Sequence, residues 1–342
     1  SNGGRIFLLS FNKGIGTSAL ALALSPAIEG ETEATGASEV IERCRQAQAL
    51  AGDARRESVL ALVEMLGDGH PFVRWEAGRA LAETAALYRE RPRLGLSWAA
   101  RRSPIMSYDE FDALVRERMQ APQAEIRAAT ADALGLWQQG APVSLLAEAL
   151  HDPDPAVRVS AATALGRIGD QDAVQPLQVA LGDPSVWVRR AAANALGSIG
   201  DPHSVPALRQ ALGTPQSLLV RSALVGALGQ IASPEARHAL LRHLEEKRPE
   251  IRWQAVRGLE QVGDVSALSS LEALLTDEAP VFGETIATRA RAAIAAIESR
   301  EIGLWNALRK LFYLARHRLG QIVALYRAKA MERTVKAQEP PR

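Results

Sequence analysis

One short motif returns along this sequence at nearly constant spacing, and it limits the possible folds more than any other feature. The motif is an aliphatic residue followed by an arginine, called here the anchor arginine. Its six copies are Val73-Arg74, Ile126-Arg127, Val157-Arg158, Val188-Arg189, Val220-Arg221 and Ile251-Arg252. The anchor arginines are spaced by 53, 31, 31, 32 and 31 residues. A fixed period of this length indicates an array of similar structural units rather than one or two ordinary globular domains.

Each anchor arginine is followed by apolar residues at helical spacing. A leucine stands seven residues after every one, and small or aliphatic residues mostly stand three and ten residues after it. Together with the residue before the arginine, these positions advance by four, four and three residues, so they lie on one face of an α-helix. A second apolar pattern, such as Val174, Leu177 and Leu181, comes before Asp183-Pro184, a pair that favours a turn into the next helix. Each repeat is therefore predicted to be a helical hairpin.

Composition supports a helical protein and gives no indication of a catalytic centre. The 342 residues are 47% hydrophobic but only 5% aromatic, and the net charge is +1. Cys44 is the single cysteine, which excludes a disulfide within the chain, and it has no recognisable base partner in the sequence. No two of the six histidines have the spacing of a helical zinc site. We therefore predict no cofactor, no metal site and no enzyme activity.

The segment from Asp183 to Asp201 resembles a HEAT repeat. It reads Asp-Pro and then Val-Arg-x-x-Ala-Ala-x-Ala-Leu-Gly-x-Ile-Gly-Asp, and it is similar to the short HEAT-like units of the phycobilisome lyase type. The resemblance covers about residues 55–299. It implies an all-α fold, a right-handed α-solenoid of about seven hairpins, whose second helices line a concave face that often binds partners. It implies no single activity.

Two enzyme families share this scaffold. In a di-iron hydroxylase family that the chain resembles, His-Glu pairs at the start of the second helices hold the metal ions. The matching pairs here contain no histidine, which argues against that activity: Trp75-Glu76, Ala128-Ala129, Val159-Ser160, Arg190-Ala191, Ser222-Ala223 and Trp253-Gln254. A phycobilin lyase-like subunit for chromophore attachment stays open as an alternative, since the repeats do not distinguish it from a scaffold.

An acidic residue stands six residues before four of the anchor arginines. The pairs are Asp68 and Arg74, Asp152 and Arg158, Asp183 and Arg189, and Glu246 and Arg252. They could form a row of charged ligand sites or a structural ladder of side-chain pairs between adjacent hairpins. Because the pattern repeats from unit to unit, whereas a binding site normally interrupts a repeat, we predict the structural ladder.

The N-terminal segment, residues 1–50, precedes the repeats of residues 51–299. Within it, Arg5 and Lys13 come before a weakly apolar stretch, residues 15–24, and Ser25-Pro26-Ala27 follows. This layout is typical of an export signal, but the twin arginine of one signal class is absent. A capping helix on the array is the alternative. A cytoplasmic or membrane-peripheral location is slightly favoured, with export to a periplasm or lumen as the alternative.

Two further segments interrupt the repeat with basic residues. An insertion at about residues 87–108 explains the 53-residue spacing and contains Trp98, Arg101 and Arg102, which could bind an acidic partner or belong to a solvated loop. Residues 300–342 contain a basic amphipathic helix, residues 302–336, with Arg316 and Arg318 among its cations. Such a helix could cap the array, bind a partner or lie on a membrane surface. Nucleic acid is disfavoured, because no continuous basic row follows the repeats.

The remaining partner-binding residues are predicted on the concave stripe, one and five residues after an anchor arginine. They are Trp75 and Arg79, Arg190 and Asn194, and Trp253 and Arg257. The two tryptophans are predicted to be exposed interface anchors, with packing beneath the N-terminal segment or the inserted loop as the alternative. The sequence as a whole predicts a non-catalytic protein-binding scaffold or assembly factor. The alternatives are the lyase-like subunit and a peripheral membrane subunit that docks through its basic C-terminal helix.

Overall fold

The computed structural model of the protein describes residues 31–94, 106–137, 142–301 and 303. Within these ranges the regular structure is almost entirely helical, which confirms the predicted all-α fold. The described residues form two compact units, with the division between Ala173 and Val174. Each unit is a series of helical hairpins whose second helices pack side by side.

The first unit contains one leading helix and three hairpins. The helices are α1 (Glu31–Leu50), α2 (Arg56–Met65), α3 (Pro71–Leu94), α4 (Tyr108–Met119), α5 (Ala124–Leu134), α6 (Val143–Ala149) and α7 (Pro155–Ile168). The second helices α3, α5 and α7 pack against one another in sequence order. Helix α1 packs against α3 and so occupies the position of a second helix ahead of the first hairpin.

The second unit continues the same pattern with four hairpins. Its helices are α8 (Val174–Ala180), α9 (Val186–Ile199), α10 (Val205–Leu212), α11 (Leu218–Gln230), α12 (Pro234–Arg242), α13 (Pro249–Val262), α14 (Leu268–Glu272) and α15, of which residues 286–301 are described without a break. Helices α9, α11 and α13 pack in that order. Two antiparallel two-residue strands, β1 (Pro280–Val281) and β2 (Glu284–Thr285), connect α14 to α15, with Pro280 opposite Thr285.

The apolar stripe of each second helix forms the core. In α9, Val188, Ala192 and Leu196 are fully buried, as their helical spacing predicts. Burying a side chain such as valine or leucine contributes about 1.5–3 kcal/mol, so the repeated stripe is the main source of stability. Helices α7 and α9 end at Gly169 and Gly200, which both have the left-handed φ of 74° that favours glycine at this position.

Two glycines let neighbouring second helices approach closely. A β-carbon on Gly229 in α11 would lie 2.5 Å from the Cα of Gly258 in α13, and a β-carbon on Gly258 would lie 2.9 Å from the Cα of Gly229. Real β-carbons do not come so near a neighbouring backbone. The small residues of the repeat therefore set the distance between these helices.

Several sequence predictions fall outside the described residues. The proposed export signal and the basic C-terminal helix are among them, as are Trp98, Arg101, Arg102, Arg316 and Arg318. Residues 87–94 of the predicted insertion are helical and extend α3, where a loop was the simpler expectation. The handedness of the solenoid remains a prediction.

Candidate partner-binding surface

The second helix of the first hairpin carries exposed aromatic side chains near its start. Trp75 is 46% exposed and Phe72, three residues earlier, is 40% exposed. Residues three apart are neighbours on a helix surface, so these two side chains share one face of α3. The ring of His70 stacks on that of Phe72 with 5.6 Å between the centroids. An aromatic surface thus stands at the N-terminal end of α3.

Arg79 lies one turn after Trp75, and two carboxylates of the same helix bind it. Its Nε donates to Oε1 of Glu76 at 3.0 Å, and its guanidinium also contacts Glu83. Glu76 is buried, and its hydrogen bond raises the pKa of Arg79. The charge of Arg79 is therefore compensated within α3, which leaves Trp75 as the exposed member of the predicted pair.

In the second unit, Trp187 is the most exposed tryptophan among the described residues, at 60%. It lies in the first turn of α9, and the guanidinium of Arg190 lies 5.8 Å from its ring centroid. Asn194, one turn further, is exposed as well. Leu219 occupies the equivalent position of the adjacent helix α11, two residues before the anchor arginine, and is 38% exposed. Arg190 and Asn194 are among the residues predicted from the sequence, but Trp187 is not, because it lies two residues before the anchor arginine and outside the predicted stripe.

The expectation that Trp253 is exposed is wrong, because this side chain is only 8% exposed. The connection from α14 to α15 folds as the β1–β2 hairpin and covers it. Phe282 packs edge-on against the indole at 5.1 Å, and the indole Nε1 donates to Oε1 of Glu284 at 2.7 Å. The guanidinium groups of Arg257 and Arg289 lie 5.7 and 5.2 Å from the indole centroid. Trp253 is thus the centre of a packed aromatic and cationic cluster.

The residues of the predicted ladder lie where consecutive hairpins meet. Three of the predicted acids, Asp68, Asp152 and Glu246, bind the arginine of the preceding repeat rather than that of their own. The observed ion pairs at this position, whose members are 25 residues apart in the sequence, are Arg43–Asp68, Arg127–Asp152, Arg221–Glu246 and Arg252–Asp277. At the equivalent place Arg189 donates to Oε1 of Gln216 at 3.0 Å.

Five of the anchor arginines also bind the backbone of their own repeat. In each case Nη1 donates to a carbonyl oxygen six residues earlier, at 2.7–2.8 Å. The donors and acceptors are Arg74 and Asp68, Arg127 and Ala121, Arg158 and Asp152, Arg189 and Asp183, and Arg252 and Glu246. Each of these guanidinium groups therefore fixes the turn within its own hairpin. Arg127, Arg189 and Arg252 also join that hairpin to the next one.

A groove lies between the first helices α10 and α12. Arg209, Arg242, Arg221, His243 and Glu246 line it. Nδ1 of His243 lies 3.2 Å from Oε1 of Glu246. Burial nevertheless lowers the pKa of His243, with Arg221 and Arg242 acting in the same direction.

The described ranges lack the features of a metal site or of a membrane-spanning helix. No group of three or more His, Cys, Asp or Glu side chains is placed there to hold a metal ion. Cys44 is buried, and burial raises the pKa of its thiol, with Glu76 and Asp68 adding to the effect. None of the described helices combines the length and apolar character needed to span a bilayer.

A family model described as HEAT repeats matches residues 111–178, 143–227 and 216–297. The three segments together extend over residues 111–297, which is more than half of the chain. A comparison with curated proteins found no match.

Several solved structures are similar in part. The complex of CpcE and CpcF of phycocyanin lyase from Nostoc sp. PCC7120 shares 20% identity over 70% of this chain and 94% of the other, with a TM-score of 0.39. The Escherichia coli protein YibA shares 20% identity over 68% of this chain and 91% of its own, with a TM-score of 0.41. Computationally designed armadillo repeat proteins for modular peptide recognition share 20% identity over 56% and 94%, with a TM-score of 0.34. Similarities of this size do not indicate a shared function.

Proposed function

Because the chain belongs to the HEAT-repeat family, we propose that it is a non-catalytic scaffold or assembly factor that binds a protein partner through the exposed face of its second helices. Repeat arrays of this kind bury their apolar stripes between neighbouring hairpins, which leaves the outward positions of the second helices free to vary. Binding residues are therefore expected among those outward positions.

One observation carries the proposal, namely the pairing of Trp187 with Arg190 on α9. A tryptophan that is 60% exposed gives up most of the stabilisation that burial would provide, so the stability of the fold does not account for it. Arg190 forms no ion pair with any residue that the structure describes, and its guanidinium lies 5.8 Å from the indole centroid. Tryptophan and arginine are the residue types most enriched among energetically dominant interface residues. The pair is therefore a preformed contact for a partner.

The first unit offers a similar surface, which supports a binding role for the second helices as a class. Phe72 and Trp75 expose aromatic rings at the start of α3, and Arg79 is held in place beside them by Glu76 and Glu83. Aromatic side chains supply large contact areas at a small cost in side-chain entropy. Trp75 and Trp187 are thus the two described tryptophans that a partner could cover.

The proposal is tested by affinity capture of the full chain from cells of its source, with quantitative mass spectrometry. Trp187→Ala is compared with Val179→Ala, a matched control because Val179 is 64% exposed on α8, the first helix of the same hairpin. We expect at least one protein to be recovered with wild type and the control but to fall about tenfold or more with Trp187→Ala, at unchanged Tm. Equal recovery with both variants contradicts the proposal. A co-purified tetrapyrrole, or bilin transfer to a client protein, would support the lyase-like alternative instead.

A further inference from the structure

The loop of the β1–β2 hairpin contains a phenylalanine, although the backbone conformation there disfavours this residue type and the side chain is largely exposed. Phe282 and Gly283 form the two-residue loop, with φ of 51° and 90°, and Phe282 is the one non-glycine residue at positive φ among the described residues. Two-residue loops with positive φ at both positions prefer asparagine, aspartate or glycine. Phe282 is also 72% exposed, the highest value for a large hydrophobic side chain in the described ranges.

The contacts beneath Phe282 hold it in a fixed place. Its ring meets that of Trp253 edge-on at 5.1 Å, and Trp253 is hydrogen-bonded to Glu284 in β2. Glu284 also accepts from Nε of Arg289 at 2.8 Å, and Arg289 donates through Nη1 to Glu260 at 3.0 Å. The hairpin is therefore pinned to α13 and α15, and the exposed face of Phe282 is presented by a rigid support.

Around the β1–β2 hairpin, two carboxylates are paired with one arginine, whereas a second arginine has no carboxylate partner among the described residues. Glu284 and Glu260 are both engaged by Arg289, and the Arg289 hydrogen bonds lower the pKa of Glu284, which keeps it ionised and bound. Arg257 is exposed beside the indole of Trp253, and the described residues give it no carboxylate partner. An arginine with no carboxylate partner among the described residues and an exposed aromatic ring thus both lie against the indole of Trp253.

From this juxtaposition we propose that Phe282 and Arg257 form a docking surface for a short segment of a partner protein that carries a carboxylate next to an apolar side chain. The apolar side chain would pack on the exposed face of Phe282, and the carboxylate would pair with Arg257. Charge complementarity selects this occupant over the C-terminal part of the same chain, since residues 302–336 carry eight basic residues and one acid. The inference rests on the proposed function and gives it a partner chemistry.

The probe is a phage-displayed library of random 12-residue peptides, selected on the immobilised full-length protein. We expect selected peptides to be enriched in aspartate or glutamate adjacent to aliphatic or aromatic residues. Affinities of the selected peptides are then compared for wild type, Phe282→Asn, Arg257→Gln and the control Arg291→Gln, an exposed arginine on α15.

Phe282→Asn separates a binding role from a structural one, because asparagine suits the loop conformation better than phenylalanine does. We expect an equal or higher Tm for this variant with at least tenfold weaker peptide binding, a similar loss for Arg257→Gln, and no change for Arg291→Gln. The inference is overturned if the selected peptides are not enriched in acidic residues next to apolar ones. So does unchanged affinity in Phe282→Asn or Arg257→Gln. Trp187 lies on another helix, so the capture experiment with Trp187→Ala judges the proposed function independently of this result.

Discussion

Arg127 in α5 donates two hydrogen bonds, at 2.7 and 2.8 Å, to the carboxylate of Asp152, which lies 25 residues further along the chain in the turn of the next hairpin. Both side chains are nearly buried, at 12% and 11% exposure. The remaining guanidinium nitrogen, Nη1, donates to the carbonyl oxygens of Ala121 and Pro122. This one side chain therefore links two turns, and its loss would leave polar groups of both without partners.

Arg127→Gln is accordingly expected to lower the free energy of unfolding by about 1–3 kcal/mol, the cost of leaving buried charged or polar groups unsatisfied. The measurement is chemical denaturation followed by circular dichroism. The control is Arg45→Gln, whose ion pair with Glu42 is long at 3.7 Å and exposed at 67% and 59%. Its effect should stay below about 1 kcal/mol. Equal effects of the two substitutions would show that the ladder contributes little to stability.

The close approach of α11 and α13 predicts a strong difference between two glycines of one helix. Gly229→Ala would place a β-carbon against the backbone of Gly258 and should destabilise the protein by about 1–3 kcal/mol. Gly226→Ala has room, since its nearest neighbour would be Oε1 of Gln254 at 3.6 Å. It should be neutral or stabilising by up to about 1 kcal/mol, because alanine favours a helix. Thermal unfolding of the two variants gives the comparison, and a neutral Gly229→Ala would refute the tight contact.

The lowered pKa of His243 predicts a pH dependence with a definite sign. The unfolded chain takes up a proton at this residue near the ordinary pKa of about 6.5, whereas the folded protein resists protonation until a lower pH. The stability linked to neutral His243 is therefore complete above pH 6.5 and is lost progressively as the pH falls from there toward the folded pKa. We expect the fall in Tm between pH 7.5 and 5.5 to be smaller in His243→Gln than in wild type.

His203→Gln serves as the control for this measurement, because the side chain of His203 is 90% exposed. Its Tm profile should follow that of wild type across the same range. If His243→Gln gives the same profile as wild type, burial of His243 does not govern the acid sensitivity of the protein. Aspartates with lowered pKa values, such as Asp152 beside Arg127, lose their contribution only at lower pH.

The sequence was sufficient to predict the hairpins, because their signal repeats. Val188, Ala192 and Leu196 are buried as the stripe requires, and equivalent residues recur in each unit. One element that follows the same period does not follow the motif. Arg43 lies 31 residues before Arg74 and binds Asp68 as the other ladder arginines bind their acids, but Glu42 stands where the motif has an aliphatic residue. Helix α1 was therefore not recognised as part of the array.

The surface was harder to predict, since it depends on departures from the repeat. Burial of Trp253 requires the β1–β2 hairpin, whose Phe282-Gly283 loop lacks the asparagine or aspartate that usually marks such a turn. Exposure of Trp187 follows from its place in the first turn of α9, outside the positions that the repeat identifies as outward. Outward positions obey no common pattern, so their roles become apparent only in three dimensions.

Site-specific photo-crosslinking tests the central claim, that the second helices bind a protein partner, most directly. A photoreactive phenylalanine analogue is placed at position 187 or, as the control, at position 179 of the full chain, and cells of the source organism are irradiated. We predict a discrete covalent adduct to one protein from position 187 and none to that protein from position 179. The same adducts from both positions, or none from position 187, would contradict the claim.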